Sequence, residues 1–222
     1  MSIHTILFDL DGTIIDSALG VTNGVNYALE KTGRKTYPME ELKGFMGPPL
    51  VDEFQRFCHI SREESAEIVE IFREYYNQKG ILENKVYEGM EATFQRLLDA
   101  GFRLMVATSK VEYAAKSIAE RLGFAKYFSC IAGGLADNTR TGKAEVIEYI
   151  IEAFDITDRR EILMVGDRHY DIDGARKSHI HSLGVLYGYG SEEELLDAGA
   201  ERIVSSPEEI ATVIIEHAAN WI

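Results

Sequence analysis

Two aspartates stand two positions apart near the start of the chain, in Asp9-Leu10-Asp11-Gly12-Thr13. If they follow a strand, its period of two sends both side chains to the same side, beyond the edge of a sheet. Gly12 permits a sharp turn and a close approach of the backbone to a ligand. Adjacent carboxylates repel each other unless a cation or a shared proton lies between them. This segment is therefore a candidate cation site, and a carboxylate in it could act as a nucleophile.

Three further segments carry side chains that could work with this acidic pair. Thr108 and Ser109 follow one apolar run, and Asp167 follows another, with Asp171 four positions later. Lys143 begins a segment with helical spacing. In an open parallel sheet, ligands bind beyond the carboxyl ends of the strands, so we expect all of these residues at one edge of a sheet.

The residue types in this set favour phosphoryl transfer. A cluster of carboxylates needs a hard cation, and carboxylate oxygens with open water positions suit Mg²⁺. Such an ion would neutralise phosphate charge and allow an anionic carboxylate to attack. The hydroxyl of Thr108 and the backbone N–H groups after it could hold phosphate oxygens, and Lys143 could balance phosphate and carboxylate charge.

Some of these residues also have simpler interpretations. Asp9, Asp11 and Gly12 could form only a turn or part of a calcium loop. An EF-hand loop, however, needs a third ligand before its glycine and a distal glutamate, and both are absent here. Thr108 and Ser109 could simply cap the next helix, a role that is compatible with phosphate binding.

Other polar residues near these segments are open to more than one interpretation. Lys143 could be an ordinary surface lysine, and Lys110 is an alternative candidate for contact with phosphate. His169, His179 and His181 have no spacing typical of metal ligands, and we interpret them as solvated or core-edge histidines.

The elements that must position these residues alternate along the chain. Segments with helical spacing, such as Val146 to Phe154, separate short apolar runs with the length of strands. Strands that alternate with helices favour a parallel sheet with right-handed crossovers. We therefore predict an α/β fold with a Rossmann-like parallel sheet core and helices on both faces. The predicted strands are Ile3 to Phe8, Phe102 to Ala107, Phe128 to Ala132, Ile162 to Val165, Ser182 to Tyr187 and Arg202 to Val204.

One long stretch breaks the alternation. Residues 17–82 contain helical patterns and no convincing strand, and a loop from Gly44 to Leu50 separates two helical parts. The gap between Thr13 and Thr108 has room for a helical insert, whereas the gap from Ser109 to Lys143 is filled by one crossover and a strand. We predict a core domain of residues 1–16 and 83–222 and a small inserted helical cap domain of residues 17–82.

Composition excludes several functional classes. The chain has 222 residues and a formal net charge of −14, and it contains no run of Lys or Arg. We therefore expect no nucleic-acid partner. We also expect no membrane segment and no signal peptide, because no apolar run is long enough and Met1-Ser2-Ile3-His4 lacks a basic leader. Cys58 and Cys130 are interpreted as reduced thiols, and the expected compartment is the cytoplasm.

Taken in order, the motifs are similar to those of a known superfamily. Asp9-Leu10-Asp11-Gly12-Thr13, Thr108-Ser109, Lys143 and Gly166-Asp167 with Asp171 resemble the four motifs of the haloacid dehalogenase-like hydrolases. The match spans nearly the whole chain. Gly44 to Leu50 and Tyr187-Gly188-Tyr189-Gly190, followed by Ser191 to Leu195, resemble the phosphoglycolate phosphatase-like branch, which carries a helical cap after the first motif.

This resemblance implies a role for each residue of the set. Asp9 would be the nucleophile and a Mg²⁺ ligand, and Asp11 would protonate the leaving alcohol, activate water and offer Mg²⁺ its backbone carbonyl. Asp167 would be a further Mg²⁺ ligand, and Asp171 would complete the metal site either as a direct ligand or by holding another ligand in place. The phosphate-binding residues would be Gly12, Thr108, Ser109 and Lys143, the last of which would also orient the nucleophile.

The resemblance leaves the substrate open. A second aspartate at position 11 favours a phosphatase over a dehalogenase, and the segment around Lys143 lacks the Lys-Pro sequence common in relatives. The leading hypothesis is a phosphoric monoester hydrolase with a small phosphorylated substrate, 2-phosphoglycolate being the first choice, acting as a monomer or dimer. The alternatives are a 5′-nucleotidase, an inorganic pyrophosphatase, a sugar-phosphate mutase and a non-catalytic binding protein.

Overall fold

The computed structural model describes residues 2–137 and 139–221. These residues form two compact units. The larger one runs up to Ile15 and resumes at Val86, and the smaller one spans Asp16–Lys85. The larger unit contains every residue with a predicted chemical role.

Six parallel strands form the central sheet of the larger unit, in the spatial order β5-β4-β1-β6-β7-β8. The parallel sheet predicted from the alternating apolar runs is thereby confirmed. Two short strands, β2 and β3, pair with each other where the chain crosses between the units. The strands are β1 (Thr5–Phe8), β2 (Ile15–Asp16), β3 (Lys85–Val86), β4 (Arg103–Val111), β5 (Cys130–Gly134), β6 (Ile162–Gly166), β7 (His181–Val185) and β8 (Arg202–Val204).

Helices cover both faces of this sheet. Leu7 belongs to a buried cluster with Val146, Ile147 and Ile150 of the helix that begins at Lys143. The neighbouring Phe8 packs edge-on against Phe94, and because successive side chains of a strand alternate, Phe94 lies on the other face. The helices of the larger unit are α4 (Met90–Asp99), α5 (Glu112–Arg121), α6 (Lys143–Ala153), α7 (His169–Lys177), α8 (Glu192–Ala198) and α9 (Pro207–His217).

Strand β4 is longer than the sequence predicts. The apolar run ends at Ala107, but the strand continues to Val111, and its register against β5 shifts between Ala107 and Val111. The shift lets Val111 pair with Gly134 at the end of β5. Thr108 and Ser109 therefore lie within an irregular part of the strand and not after its end, a local feature typical of a β-bulge.

The smaller unit is helical, with α1 (Ala18–Lys31), α2 (Leu50–Cys58) and α3 (Arg62–Tyr76). Ser61 begins α3 with a capping box, in which Glu64 N–H donates to its hydroxyl. Part of the predicted Gly44 to Leu50 loop is instead a 3₁₀ helix, Met39–Phe45, which buries Phe45 among aromatic rings. The role of this unit as a cap stays a prediction.

Two further expectations concern the whole chain. Within residues 2–137 and 139–221, no helix combines the length and the apolar character needed to cross a bilayer. Cys58 and Cys130 are half-buried free thiols.

Candidate active site

Asp9 and Asp167 lie side by side because the strands that carry them are neighbours in the sheet. Phe8 of β1 pairs with Val165 of β6, and the N–H of Asp9 donates to the carbonyl of Val165 at 2.9 Å. Each aspartate follows the end of its strand closely. The expected meeting of strand ends at one edge of the sheet is thus observed for these two residues.

Three carboxylates form a buried cluster at this edge. One ligand atom each of Asp9, Asp167 and Asp171 lies within 4.8 Å of the others, and all three residues are buried. Asp171 joins from the first turn of α7, where one of its oxygens also accepts a hydrogen bond from the N–H of Arg168 at 3.1 Å. This hydrogen bond from Arg168 to Asp171 fixes the first turn of the helix against the loop that carries Asp167.

Lys143 is the cation of this cluster. Its Nζ lies 2.6 Å from Oδ1 of Asp9 and 2.8 Å from Oδ1 of Asp171, and it donates to the carbonyl of Ala107 at 2.8 Å. The residue is buried, which excludes the interpretation as an ordinary surface lysine. Its position as the first residue of α6 is the one the sequence indicates.

The electrostatics of the cluster favour a divalent cation. Burial raises the pKa of Asp9 to about 6, partly offset by the charge of Lys143. Burial and the neighbouring carboxylates raise the pKa of Asp167 well above its usual value. The pKa of Lys143 is raised because its two anionic partners outweigh the effect of burial. Three carboxylates and one ammonium leave two negative charges, which one Mg²⁺ would balance, and oxygen donors suit that ion.

Asp11 is not part of this carboxylate cluster. Its two carboxylate oxygens accept hydrogen bonds from Nζ of Lys110 at 3.1 and 3.0 Å, and both side chains are largely buried. From the sequence, Lys110 was only an alternative candidate for contact with phosphate, and its pairing with Asp11 was not predicted. No spacing rule could have found it, because 99 positions separate the two residues.

The turn after Asp11 brings the backbone against Asp167. Gly12 has a φ of 85°, and a Cβ at this position would lie 2.2 Å from Oδ2 of Asp167, so a larger residue would strain the backbone and displace that carboxylate. The hydroxyl of Thr13 donates to Oδ1 of Asp167 at 3.2 Å. This contact, which the sequence analysis did not predict, helps to orient a carboxylate of the cluster.

Thr108 and Ser109 lie on β4, the strand that flanks β1 on the side opposite β6. Thr108 is buried, and its hydroxyl oxygen accepts a hydrogen bond from the N–H of Lys110 at 3.2 Å. Its hydroxyl hydrogen can therefore be donated elsewhere. Ser109 is half-buried.

The histidines near these segments contact glutamates. Nδ1 of His169 lies 2.8 Å from an oxygen of Glu194, and Nδ1 of His181 lies 2.9 Å from an oxygen of Glu201. His179 adopts a left-handed backbone conformation just after α7. The carboxylate cluster described above contains no histidine.

Comparison with known protein families finds a family that matches most of the chain. The family described as haloacid dehalogenase-like hydrolase matches residues 6–185, a range that includes every residue predicted to bind the metal ion or the phosphate. This range covers most of the chain.

Curated relatives include several activities. A 5′-nucleotidase of Pseudomonas aeruginosa is 37% identical over 86% of this chain and 86% of its own length. The tyrosine-protein kinase PtkA of Mycobacterium tuberculosis is 31% identical over 97% of this chain and 69% of its length. A phosphoglycolate phosphatase of Vibrio parahaemolyticus is 27% identical over 96% of both chains.

A solved structure with a similar fold is consistent with this family assignment. The crystal structure of a predicted phosphatase from Clostridium acetobutylicum has a TM-score of 0.94 and 41% identity, and the match covers 97% of this chain and 100% of the other. The family match, these relatives and this fold lead to one conclusion. The chain is a phosphatase and belongs to the haloacid dehalogenase-like hydrolase family.

Proposed function

We propose that this chain is a Mg²⁺-dependent phosphatase that hydrolyses small phosphate monoesters through a phosphorylated Asp9. The observation that carries the proposal is the buried cluster of Asp9, Asp167 and Asp171 with one lysine among them. A buried carboxylate at the end of a central strand, next to a charge-balancing lysine, fits a nucleophile that must approach an anionic phosphate.

The metal site in this proposal uses Asp9, Asp167 and Asp171 through their carboxylates and Asp11 through its backbone carbonyl. A bound Mg²⁺ would neutralise phosphate charge and polarise the phosphoryl group. Lys143 would keep Asp9 oriented and would contact the phosphoryl oxygens. Phosphate oxygens would also be held by the hydroxyls and N–H groups of Thr108 and Ser109 and by the backbone at Gly12.

The reaction would take place in two steps. An oxygen of Asp9 attacks phosphorus while the bond from phosphorus to the leaving oxygen breaks, and Asp11 gives its proton to that oxygen. Asp11 then takes a proton from water, the water oxygen attacks the phosphorus of phospho-Asp9, and the bond to Asp9 breaks. Inorganic phosphate is released and both carboxylates return to their initial states.

For the substrate, we propose a small phosphorylated metabolite, with 2-phosphoglycolate as the first candidate. The support is the phosphoglycolate phosphatase of Vibrio parahaemolyticus, which matches this chain over 96% of both lengths. A 5′-nucleotide is the second candidate, because the Pseudomonas aeruginosa relative with 37% identity is a 5′-nucleotidase. Selection between them would rest with the smaller unit, Asp16–Lys85, which we propose to act as a cap.

The setting of this activity is also a proposal. The net charge of −14 argues against binding to nucleic acid or to anionic lipid surfaces, because both would repel the chain. We therefore propose a cytoplasmic enzyme, active as a monomer or dimer, whose partners are small molecules.

A panel of phosphorylated metabolites tests the proposal. Phosphate release is measured with Mg²⁺, with Mg²⁺ and EDTA, and with the Asp9→Asn variant, and the panel includes 2-phosphoglycolate, 5′-nucleotides, pyrophosphate and hexose phosphates. We expect Mg²⁺-dependent release from at least one monoester and none with Asp9→Asn. Release that persists in EDTA or in the variant would contradict the proposal, and isomerised hexose phosphate in excess of free phosphate would indicate a mutase.

A further inference from the structure

One segment of the larger unit supports the metal-site aspartates without contributing a ligand of its own. It runs from the end of β7 into α8 and contains Tyr187, Tyr189, Gly190 and Glu194. The proposed reaction assigns no role to any of these residues. Each of them nevertheless contacts a residue of the first or the fourth motif, and the contacts can be followed one by one.

The first contacts are made by the two tyrosines. The hydroxyl of Tyr187 donates to the carbonyl of Thr13 at 2.8 Å, and the N–H of Tyr189 donates to Oδ2 of Asp167 at 2.7 Å. Since Thr13 donates to the other oxygen of Asp167, both oxygens of this carboxylate are held. Gly190 lies so close that a Cβ there would be 2.0 Å from the carbonyl oxygen of Asp167.

Glu194 makes the contacts with the loop that follows Asp167. One of its carboxylate oxygens, Oε1, lies 2.8 Å from Nε of Arg168, 2.9 Å from the backbone N of His169 and 2.8 Å from Nδ1 of the same histidine. Glu194 is itself held at the start of α8, where its N–H donates to the hydroxyl of Ser191. A single carboxylate oxygen thus binds two consecutive residues between Asp167 and Asp171.

Arg168 and His169 are the residues through which Glu194 can act on both aspartates. Asp167 precedes Arg168 directly, and the N–H of Arg168 donates to Asp171 at 3.1 Å. His169 is the first residue of α7, whose first turn contains Asp171. A shift of this dipeptide would move both carboxylates relative to Asp9, and partners outside the ligand set commonly change metal affinity 10- to 100-fold.

We propose that Glu194 is a positioning residue that sets the affinity of this site for Mg²⁺ by holding Arg168 and His169. The inference rests on the proposed function, which places a divalent cation among the three carboxylates. It concerns the geometry of Asp167 and Asp171 and assigns Glu194 no contact with the ion, the phosphate or the leaving group.

The test compares Glu194→Gln with Glu193→Gln in the full chain. Glu193 is exposed in the same first turn of α8, so its variant removes the same charge from the same segment without touching the loop after Asp167. Calorimetric titration with MgCl₂ gives the dissociation constant of each protein, and circular dichroism without metal checks that each is folded. We expect the dissociation constant for Mg²⁺ to rise about tenfold or more in Glu194→Gln and to stay within about twofold in Glu193→Gln.

Activity provides a second readout that a general loss of structure would not reproduce. At saturating Mg²⁺ the kcat of Glu194→Gln should return to within about threefold of the wild-type value, because only the affinity for the ion has changed. Equal Mg²⁺ affinities of the two variants would overturn the inference and leave the proposed function intact. Wild-type protein that binds no Mg²⁺ would overturn the proposed function, and the inference with it.

If Glu194→Gln does not fold, His169→Ala decides the question. This variant removes the imidazole contact to Glu194 and leaves the contacts with Arg168 Nε and with the backbone N–H at position 169. We expect Mg²⁺ affinity to fall about threefold, less than for the glutamate variant, because only one of the donors is lost. An unchanged affinity in a folded His169→Ala protein would contradict the proposal.

Discussion

Lys143 and Asp9 form an ion pair in the interior of the larger unit, with 2.6 Å between Nζ and Oδ1 and side chains that are only 4% and 7% exposed. The same Nζ lies 2.8 Å from Oδ1 of Asp171. One buried ammonium therefore forms ion pairs with two carboxylates. Removing it would leave both without their counter-charge, which is costly in a buried site.

The first prediction concerns Lys143→Met. We expect kcat to fall by about 10²- to 10³-fold, because in the proposed mechanism the nucleophile Asp9 and the phosphoryl oxygens would lose a placed cation. We also expect the metal-free variant to lose about 3 kcal/mol of unfolding free energy at neutral pH, as buried pairs do when one partner is removed. Urea denaturation without metal measures this loss.

The effect of Lys143→Met on stability should depend on pH. Burial raises the pKa of Asp9 to about 6, so at low pH this carboxylate takes up a proton, the missing ammonium matters less and the loss of stability should shrink. Lys126→Met, which changes an exposed lysine, is the control. A loss of stability that is equal at low and neutral pH, or equal in the two variants, would contradict the ion-pair account.

The second prediction concerns the pH dependence of the metal-free protein. Burial raises the pKa of Asp9 from 3.8 to about 6. A raised pKa in the folded state means that the stability contributed by this group is full below pH 3.8 and is lost as pH rises through about 6. The unfolding free energy of Asp9→Asn relative to wild type should therefore increase by about 3 kcal/mol from acid to neutral pH.

Mg²⁺ supplies the control for this second prediction. In the proposed metal site the ion would bind the ionised carboxylates of the wild type, so saturating Mg²⁺ should narrow the difference in unfolding free energy between wild type and Asp9→Asn at neutral pH. Denaturation curves at matched pH values, with and without Mg²⁺, give both quantities. A difference that does not change with pH would show that Asp9 titrates normally in the folded chain.

The third prediction concerns Lys110, the partner of Asp11. Lys110→Met should lower kcat by about 10²-fold, since Asp11 would lose the group that fixes its carboxylate for the proposed proton transfer. Lys110→Arg keeps the positive charge and should retain more activity. Mg²⁺ affinity should stay unchanged, because the side chain of Asp11 lies outside the carboxylate cluster. Wild-type kcat in Lys110→Met would contradict this role.

The fourth prediction concerns a network at the end of β5. Glu112 accepts hydrogen bonds from Nζ of Lys116 and the N–H of Gly133 and forms an ion pair with Arg140, whose Nε donates to the carbonyl of Gly133. Burial alone would raise the pKa of Glu112, but these partners lower it below 4.5. The network holds the segment that leads into α6 and Lys143.

Glu112→Gln should therefore cost about 1 kcal/mol of unfolding free energy at neutral pH. A lowered pKa in the folded state means that this stability is present above pH 4.5 and is lost as pH falls through the folded value. The cost should thus disappear in acid, whereas Glu120→Gln, an exposed change in the same helix, should cost little at any pH. Equal costs for the two variants at neutral pH would argue against the network.

The fold was largely predictable because its strands are short apolar runs and its helices have one apolar face. Such patterns involve residues that are close together along the chain, so they can be recognised in a single sequence. The continuation of β4 to Val111 was not predictable, because it depends on the shifted pairing of Val111 with Gly134 in another strand. The 3₁₀ helix at Met39–Phe45 was likewise missed, since its short polar sequence carries little periodicity.

The sequence predicts those site residues whose positions are set by the ends of strands and helices. It does not predict those whose positions are set by contacts between distant side chains. Asp9 and Asp167 meet because β1 and β6 are neighbours, and Lys143 follows from its place at the start of α6. The pairing of Asp11 with Lys110 depends on two side chains that are 99 positions apart, and no periodicity reports such a contact. The contact of Glu194 with the loop after Asp167 is of the same kind.

The most direct test of the account is to identify the residue that becomes phosphorylated. Enzyme mixed with Mg²⁺ and its best substrate is quenched in acid and treated with borohydride, which reduces an aspartyl phosphate to homoserine. Peptide mass spectrometry then locates the change. The account predicts homoserine at position 9 in the wild type and none in Asp9→Asn. Homoserine at another aspartate, or turnover with no reducible acyl phosphate at any time point, would contradict it.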